Sequence, residues 1–157
     1  MAGPAIEMLR HPQLINKMVV ASANHKREGM IAGFFEGMPH ATLDNMPAAL
    51  QEAYLKVTPS KDGLQTMFEK DRDRMINFTD IPDNSIRSIK KPTLLIVADQ
   101  DVITVEHVVA MFRLIEGSQL IVLPGTHGSF IGEVGTTNEG NKLPAITASL
   151  VEDFLNK

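Results

Sequence analysis

Between Lys91 and Glu133 the chain alternates short apolar runs with amphipathic and polar stretches, in an order that predicts strand, helix, strand. Thr93 to Ala98 is an apolar run bounded by Pro92 and followed by Asp99-Gln100-Asp101, the pattern of a buried parallel strand running out into a turn. From Glu106 to Ile115 apolar residues recur at three- and four-residue spacing. Thr104 is placed to act as N-cap, Glu106 falls in the first turn, and Gly117 stops the helix. Leu120 to Leu123 is a second short strand that breaks at Pro124-Gly125 and delivers His127 on a loop flanked by Gly125 and Gly128. A right-handed crossover sets consecutive parallel strands side by side, so the loops carrying Asp101 and His127 leave the same end of the sheet and can face each other.

The remaining pattern predicts helices and one more strand. Met1 to Arg10 reads as a helix with Pro4 in its first turn, ended by His11-Pro12. Asn16–Ser22 reads as a short buried strand, with Leu14 and Ile15 packing ahead of it. Helices follow over Met30 to Gly37, over Leu43 to Val57 with Pro47 in the first turn, and over Leu64 to Phe78. The acid-base run Glu69 to Arg74 on the last of these is a solvated face. Asp80 to Ser88 is rich in turn formers. A final helix, Leu143 to Leu155, carries Leu143, Ile146, Leu150, Val151, Phe154 and Leu155 as its buried stripe. The fold class is therefore α/β: one domain with a parallel sheet of about three strands (Asn16–Ser22, Thr93–Ala98, Leu120–Leu123), flanking helices, and a helical insertion over residues 25–85.

Composition narrows the partners. The chain has 157 residues, 43% of them hydrophobic, enough for the core of one domain. A formal net charge of −4 with interspersed signs, and no basic stripe with aromatics, excludes nucleic acid as the expected partner. No apolar segment approaches the ~20 residues of a membrane span, and the amino terminus lacks the basic-then-apolar layout of a secretory leader. With no cysteine in the sequence, disulfides and thiolate chemistry are excluded, and a cytoplasmic location is the expectation. No H-x-x-x-H spacing supports a metal, and no phosphate-cradling glycine loop supports a cofactor, so neither is expected.

An acid that orients an imidazole and stabilises its cation is two thirds of a nucleophile-His-Asp triad. Asp101 and His127 are the candidates, with Asp99 as the alternative acid. Ordinary turn and loop roles are open to all three. His11, His25, His40 and His107 lack partners at recognisable spacing and read as surface or helix residues. Ser129, beside His127, is badly placed for a nucleophile.

The runs LLIVADQDVITVEH and LIVLPGTHGSFIGE resemble the closing part of the α/β-hydrolase family, where a strand ending in G-D-x-D-x-[IV]-x-x-E precedes one ending in L-P-G-x-H. Ala98 stands where that family usually has glycine. The resemblance implies that Asp101 and His127 are the acid and base of a catalytic triad. It also implies that residues 25–85 form a cap whose apolar side chains, with Met30, Phe34, Phe35 and Met38 as candidates, line a pocket for a small ester-like substrate. The stretch GPAIEMLRHPQLINKMVVAS resembles the part that directly follows the family's nucleophile elbow, G-x-S-x-G. None of the serines, Ser22, Ser60, Ser85, Ser88, Ser118, Ser129 or Ser149, lies in such a motif. Laid on the family's S-M-G-G, Met1 falls just after the missing serine.

The expectation is thus a carboxyl-terminal portion of an esterase-like serine hydrolase that keeps the Asp-His pair and is inactive alone, having neither nucleophile nor oxyanion donors. The alternative is a non-catalytic binding or assembly module on a hydrolase scaffold. The same alignment leaves the edge of the strand at Lys17 to Ser22 uncovered, so a homodimer or larger homo-oligomer formed through that edge is expected.

Overall fold

The computed structural model describes residues 11–136 and 140–157. The helix expected over Met1 to Arg10, and Thr137, Asn138 and Glu139 of the expected polar loop, lie outside the described residues. The chain forms two compact units, one of Met1–Ile31 with Asp80–Lys157 and one of Ala32–Thr79. Among the described residues the strands are β1 (Met18–Ala21), β2 (Thr93–Gln100) and β3 (Gln119–Thr126). The α-helices are α1 (Phe34–Gly37), α2 (Ala48–Val57), α3 (Lys61–Ile76), α4 (Asp83–Arg87), α5 (Val105–Leu114) and α6 (Leu143–Asn156).

The first unit is built on a parallel sheet in the order β1-β2-β3, with Met18 opposite Thr93 and Leu94 opposite Gln119. β2 is central because its run from Thr93 to Ala98 is buried throughout, as a strand covered on both faces requires. Leu94, Ile96 and Ala98 point to one face and meet Leu123, Phe130 and Phe154, with Val19, Ala21, Ile121, Leu143 and Val151 around them. Leu95 and Val97 alternate to the other face. There α5 packs on β2 and brings in Val108 and Met111, while α4 contacts α5. The architecture is the expected α/β one, a small parallel sheet with flanking helices.

Several boundaries differ from the sequence pattern, each for a local reason. β1 is shorter than Asn16–Ser22, and Leu14 is 77% exposed instead of packing ahead of the strand. β2 runs on through Asp99 and Gln100, so the chain turns only at Asp101. β3 continues through Pro124 and Gly125, which the sequence pattern makes its end. Among the described residues β3 is an edge strand, where a proline's missing N–H leaves no ladder bond broken. Asp83–Arg87, within the expected turn, forms a short helix that buries Ile86 completely. On α6 the inward positions are Leu143, Thr147, Val151 and Phe154, whereas Ile146, Leu150 and Leu155 face outward. On α5, Met111 is buried and Phe112 is largely out.

In the second unit α1 begins at Phe34, after Gly33 at φ 83°. The helix expected from Met30 starts late because Met30 is claimed by an antiparallel bridge to Ile103, and the Ile31 N–H donates to the Val102 carbonyl. A capping box between Thr42 and Asn45 orders the approach to α2, which Pro47 precedes. The Ser60 hydroxyl accepts from the Gly63 N–H and caps α3. Of α3 only Leu64 is buried. Arg72 pairs with Asp73 and Arg74 with Asp71 on its solvated side, adjacent and three-residue pairs in place of the four-residue spacing the charge run suggests. No described helix is long and apolar enough to cross a membrane.

Candidate active site

β2 and β3 each end in the residue that matters. A register shift between Ala98 and Gln100 lets β2 bend as it leaves the sheet, and there the Asp99 carboxylate accepts the Gly125 N–H at 2.8 Å. This bond ties the two strand ends together and explains why Asp99, the alternative acid, is occupied elsewhere. Asp101 follows with its side chain fully buried. Its Oδ1 accepts the Ile103 N–H at 3.1 Å, a local turn that orients the carboxylate, and also the His127 Nδ1–H at 2.8 Å. Its Oδ2 accepts the Ser22 hydroxyl at 2.5 Å.

His127 is presented by a loop that only glycine permits at two points. Gly125 has φ 124° and Gly128 φ 73°, and a Cβ on Gly128 would overlap the Glu133 side chain. The Gly128 carbonyl accepts the N–H groups of Ile131 and Glu133, and Phe130, wholly buried, anchors the turn in the core. The neighbouring Ser129 hydroxyl donates to the Thr126 carbonyl at 2.7 Å, a structural bond that leaves it no role as a nucleophile.

The electrostatics follow from these contacts. Burial pushes the Asp101 carboxyl up, but hydrogen bonds from His127, Ser22 and the Ile103 N–H outweigh it and hold the group below the usual carboxylate range. The hydrogen bond to Asp101 raises the His127 imidazole above its ordinary value, against burial, with further help from Glu133. An ionised Asp101 fixes the proton on Nδ1 and leaves Nε2 as the basic nitrogen, on a ring that is 44% exposed. Among the described residues Nε2 has no hydrogen-bond partner. An oriented, solvent-reachable base backed by a buried carboxylate can take a proton from a hydroxyl and stabilise the resulting cation.

A second imidazole pair corrects the reading of His25 and His107 as surface or helix residues. Both are buried, at 3% and 7% exposure, and stack at 4.5 Å between ring centroids. The His25 backbone N–H donates to His107 Nε2 at 3.2 Å, and His25 Nε2 lies 3.1 Å from Asp83, which also pairs with Lys26. Gly29 lies so close that a Cβ there would overlap the His107 ring. Burial, with the neighbouring His25, lowers His107 to about 4. His25 Nδ1 is buried without a hydrogen-bond partner among the described residues. His11 and His40 are exposed, as their lack of spacing suggests.

The proposed pocket residues divide between the units. Met30 is buried in the first unit, on its bridge to Ile103. Phe34 and Met38 line a cavity of about 260 Å³ in the second unit, with Met46, Met67, Phe68 and Met75. Phe35 is not part of that lining and packs edge-on against Phe34. Among the described residues no cluster of three or more histidine or carboxylate side chains is arranged to hold a metal ion. Sequence reasoning passed over Ser22 except as a failed elbow. Its one available signal was its place just after β1, at the strand end where the loops of Asp101 and His127 also emerge.

No family model matches the chain, and no curated relative does. Solved structures do. A meta-cleavage product hydrolase from Pseudomonas fluorescens is 18% identical, with a TM-score of 0.69 over 98% of this chain and 60% of that one. A serine hydrolase involved in carbazole degradation is 21% identical, with a TM-score of 0.66 over 99% of this chain and 59% of that one. The enol-lactonase from Burkholderia xenovorans is 17% identical, with a TM-score of 0.60 over 99% and 62%. The chain spans about 60% of the length of the structures it matches, and its fold is that of part of an α/β-hydrolase.

Proposed function

We propose that this chain carries the acid and base of a serine-hydrolase-like enzyme acting on a small ester-like substrate, with Asp101 orienting His127 as general base. The observation that carries the reading is the 2.8 Å bond from His127 Nδ1 to a fully buried carboxylate. That bond leaves Nε2 as the basic nitrogen of a half-exposed ring. The solved structures of like fold include hydrolases, an esterase and a lactonase, which agrees with it. The 157 residues contain no G-x-S-x-G, so the nucleophile and the oxyanion donors come from polypeptide outside them, and the chain alone is inactive.

The same absence of an elbow favours a second reading, a non-catalytic assembly module. Under either reading β1, which pairs only with β2 among the described residues, is the edge through which a second copy adds. A cysteine-free chain suits a cytoplasmic setting.

The test is hydrolysis of a short-chain p-nitrophenyl ester by the 157-residue chain, by the same chain extended with its in-frame upstream sequence, and by the extended chain with His127→Ala. The expected result is an inert short chain, an active extended chain, and a loss of about 10³-fold or more in the variant. An extended chain that carries a Gly-x-Ser elbow and is still inert overturns the enzyme reading. Sedimentation of the short chain gives a dimer if the β1 edge associates, and a monomer removes that part of the proposal.

A further inference from the structure

Ser22 departs from its surroundings in two independent ways. It is the one non-glycine residue with positive φ among the described residues, at 45°, a conformation that costs an ordinary L-residue energy and persists only where the surroundings impose it. Its hydroxyl, buried at 7% exposure, makes the short bond of 2.5 Å to Asp101 Oδ2. The backbone explains how the two meet. Ala21 is the last residue of β1 paired with β2, opposite Ile96, and the Ser22 N–H still donates to the Ile96 carbonyl at 2.8 Å. The left-handed turn at Ser22 comes directly after that bond.

We infer that Ser22 is a positioning residue for the Asp101-His127 pair, holding the second carboxylate oxygen so that the first stays aimed at His127 Nδ1. The inference rests on the proposed acid-base reading of that pair and adds a third member from a different strand. The chemistry of the bonds supports it. With Ile103 and His127 both on Oδ1, rotation about the Cβ–Cγ bond is resisted from that one oxygen alone. A hydroxyl donor on Oδ2 closes that rotation and also stabilises the ionised form, the form that fixes the His127 tautomer. Since the Ser22 proton is committed to Asp101, its oxygen serves as a donor and not as a nucleophile. No other hydrogen bond to Oδ2 is found among the described residues.

The experiment is an NMR titration of the chain itself, following the His127 ring and the Asp101 side-chain carboxyl carbon in wild type, Ser22→Gly and Ser22→Cys. Glycine takes a φ of 45° without strain, so the backbone turn survives while the donor is lost. Cysteine keeps the size of the side chain with a weaker donor. Positioning predicts three changes in Ser22→Gly. The Asp101 carboxyl titrates higher than in wild type, His127 titrates lower and nearer a free imidazole, and the low-field Nδ1 proton signal is lost or broadened. Ser22→Cys falls between the two. If His127 and Asp101 titrate in Ser22→Gly as they do in wild type while the variant remains folded, Ser22 is only a backbone turn and the inference is overturned. If wild-type His127 itself shows no coupling to Asp101, the acid-base reading fails first. The two failures are therefore distinguishable, and neither depends on turnover.

Discussion

The first unit holds two imidazole sites at the carboxyl ends of its strands, and they are set in opposite directions. His127 follows β3, remains half-exposed, and is bonded through Nδ1 to a buried carboxylate that draws its pKa up. His107 sits on the helix after β2, buried against His25, and serves as a hydrogen-bond acceptor through Nε2. Burial comes first among its causes and draws it down to about 4. The nearest charges divide, Lys26 and His25 lowering it and Glu28 and Asp83 raising it. The same side chain is thus a poised base in one place and a neutral packing element in the other. What separates them is that a carboxylate bonded to the ring outweighs burial at His127, whereas burial prevails at His107.

The largest effect is expected where the first site is opened. Asp101→Ala leaves the Ser22 hydroxyl, the Ile103 N–H and His127 Nδ1 without their acceptor, all around a position with no solvent access. Urea denaturation at pH 7 is expected to show a loss of about 3 kcal/mol, the scale for breaking a buried, hydrogen-bonded charge. A loss under about 1 kcal/mol, on the scale of one exposed bond, would show that the carboxylate is hydrated and that the contrast with the His107 site is overstated.

How much of this was legible in the chain follows from distance along it. Asp101 and His127 each end a short apolar run, 26 residues apart, and the handedness of one crossover brings them together, so their proximity was legible in the pattern, while their acid and base roles came only from the resemblance. The stacked histidines are separated by 82 residues and the Ser22-Asp101 bond by 79. Neither pair has a local motif, and both depend on β1 lying beside β2. β2 itself was legible because a strand covered on both faces is apolar throughout. The passage of β3 through Pro124 was not, because its tolerance there comes from being at the edge of the sheet. α4 was missed because five residues are too few for a helical period to show, although Ile86 within it and Ile89 just after it are buried.

A second, smaller effect isolates His107. Its folded value lies below that of a free imidazole, so its contribution to stability is full above pH 6.5 and is lost as the pH falls toward about 4. Over that window the loss is expected to be of the order of 2 kcal/mol, discounted for partial hydration. The lowered carboxyls of Asp83 and Asp101 do not contribute to it, because their stabilisation is lost only at lower pH. Urea melts at half-unit steps from pH 7 to pH 4 should show the slope in wild type and not in His107→Gln, whose amide oxygen can still accept the His25 N–H. Equal slopes would mean that the ring is hydrated in solution and that burial does not set its charge.

The smallest effect carries the opposite sign. His127 is raised, so the stability it gains from Asp101 is fully present below the free imidazole value of 6.5 and is lost as the pH rises through its folded value. Because the ring is 44% exposed, solvent screens the pair, and His127→Gln is expected to cost less than about 1 kcal/mol at pH 6. The gap should narrow steadily toward pH 9 and should shrink in high salt. A gap that widens toward alkaline pH would place the proton on the wrong side of the comparison, and His127 would then be a neutral acceptor like His107. A gap that stays constant with pH would mean that the imidazole contributes packing but no charge, and the acid-base reading of the pair would lose its electrostatic support even with the 2.8 Å geometry intact.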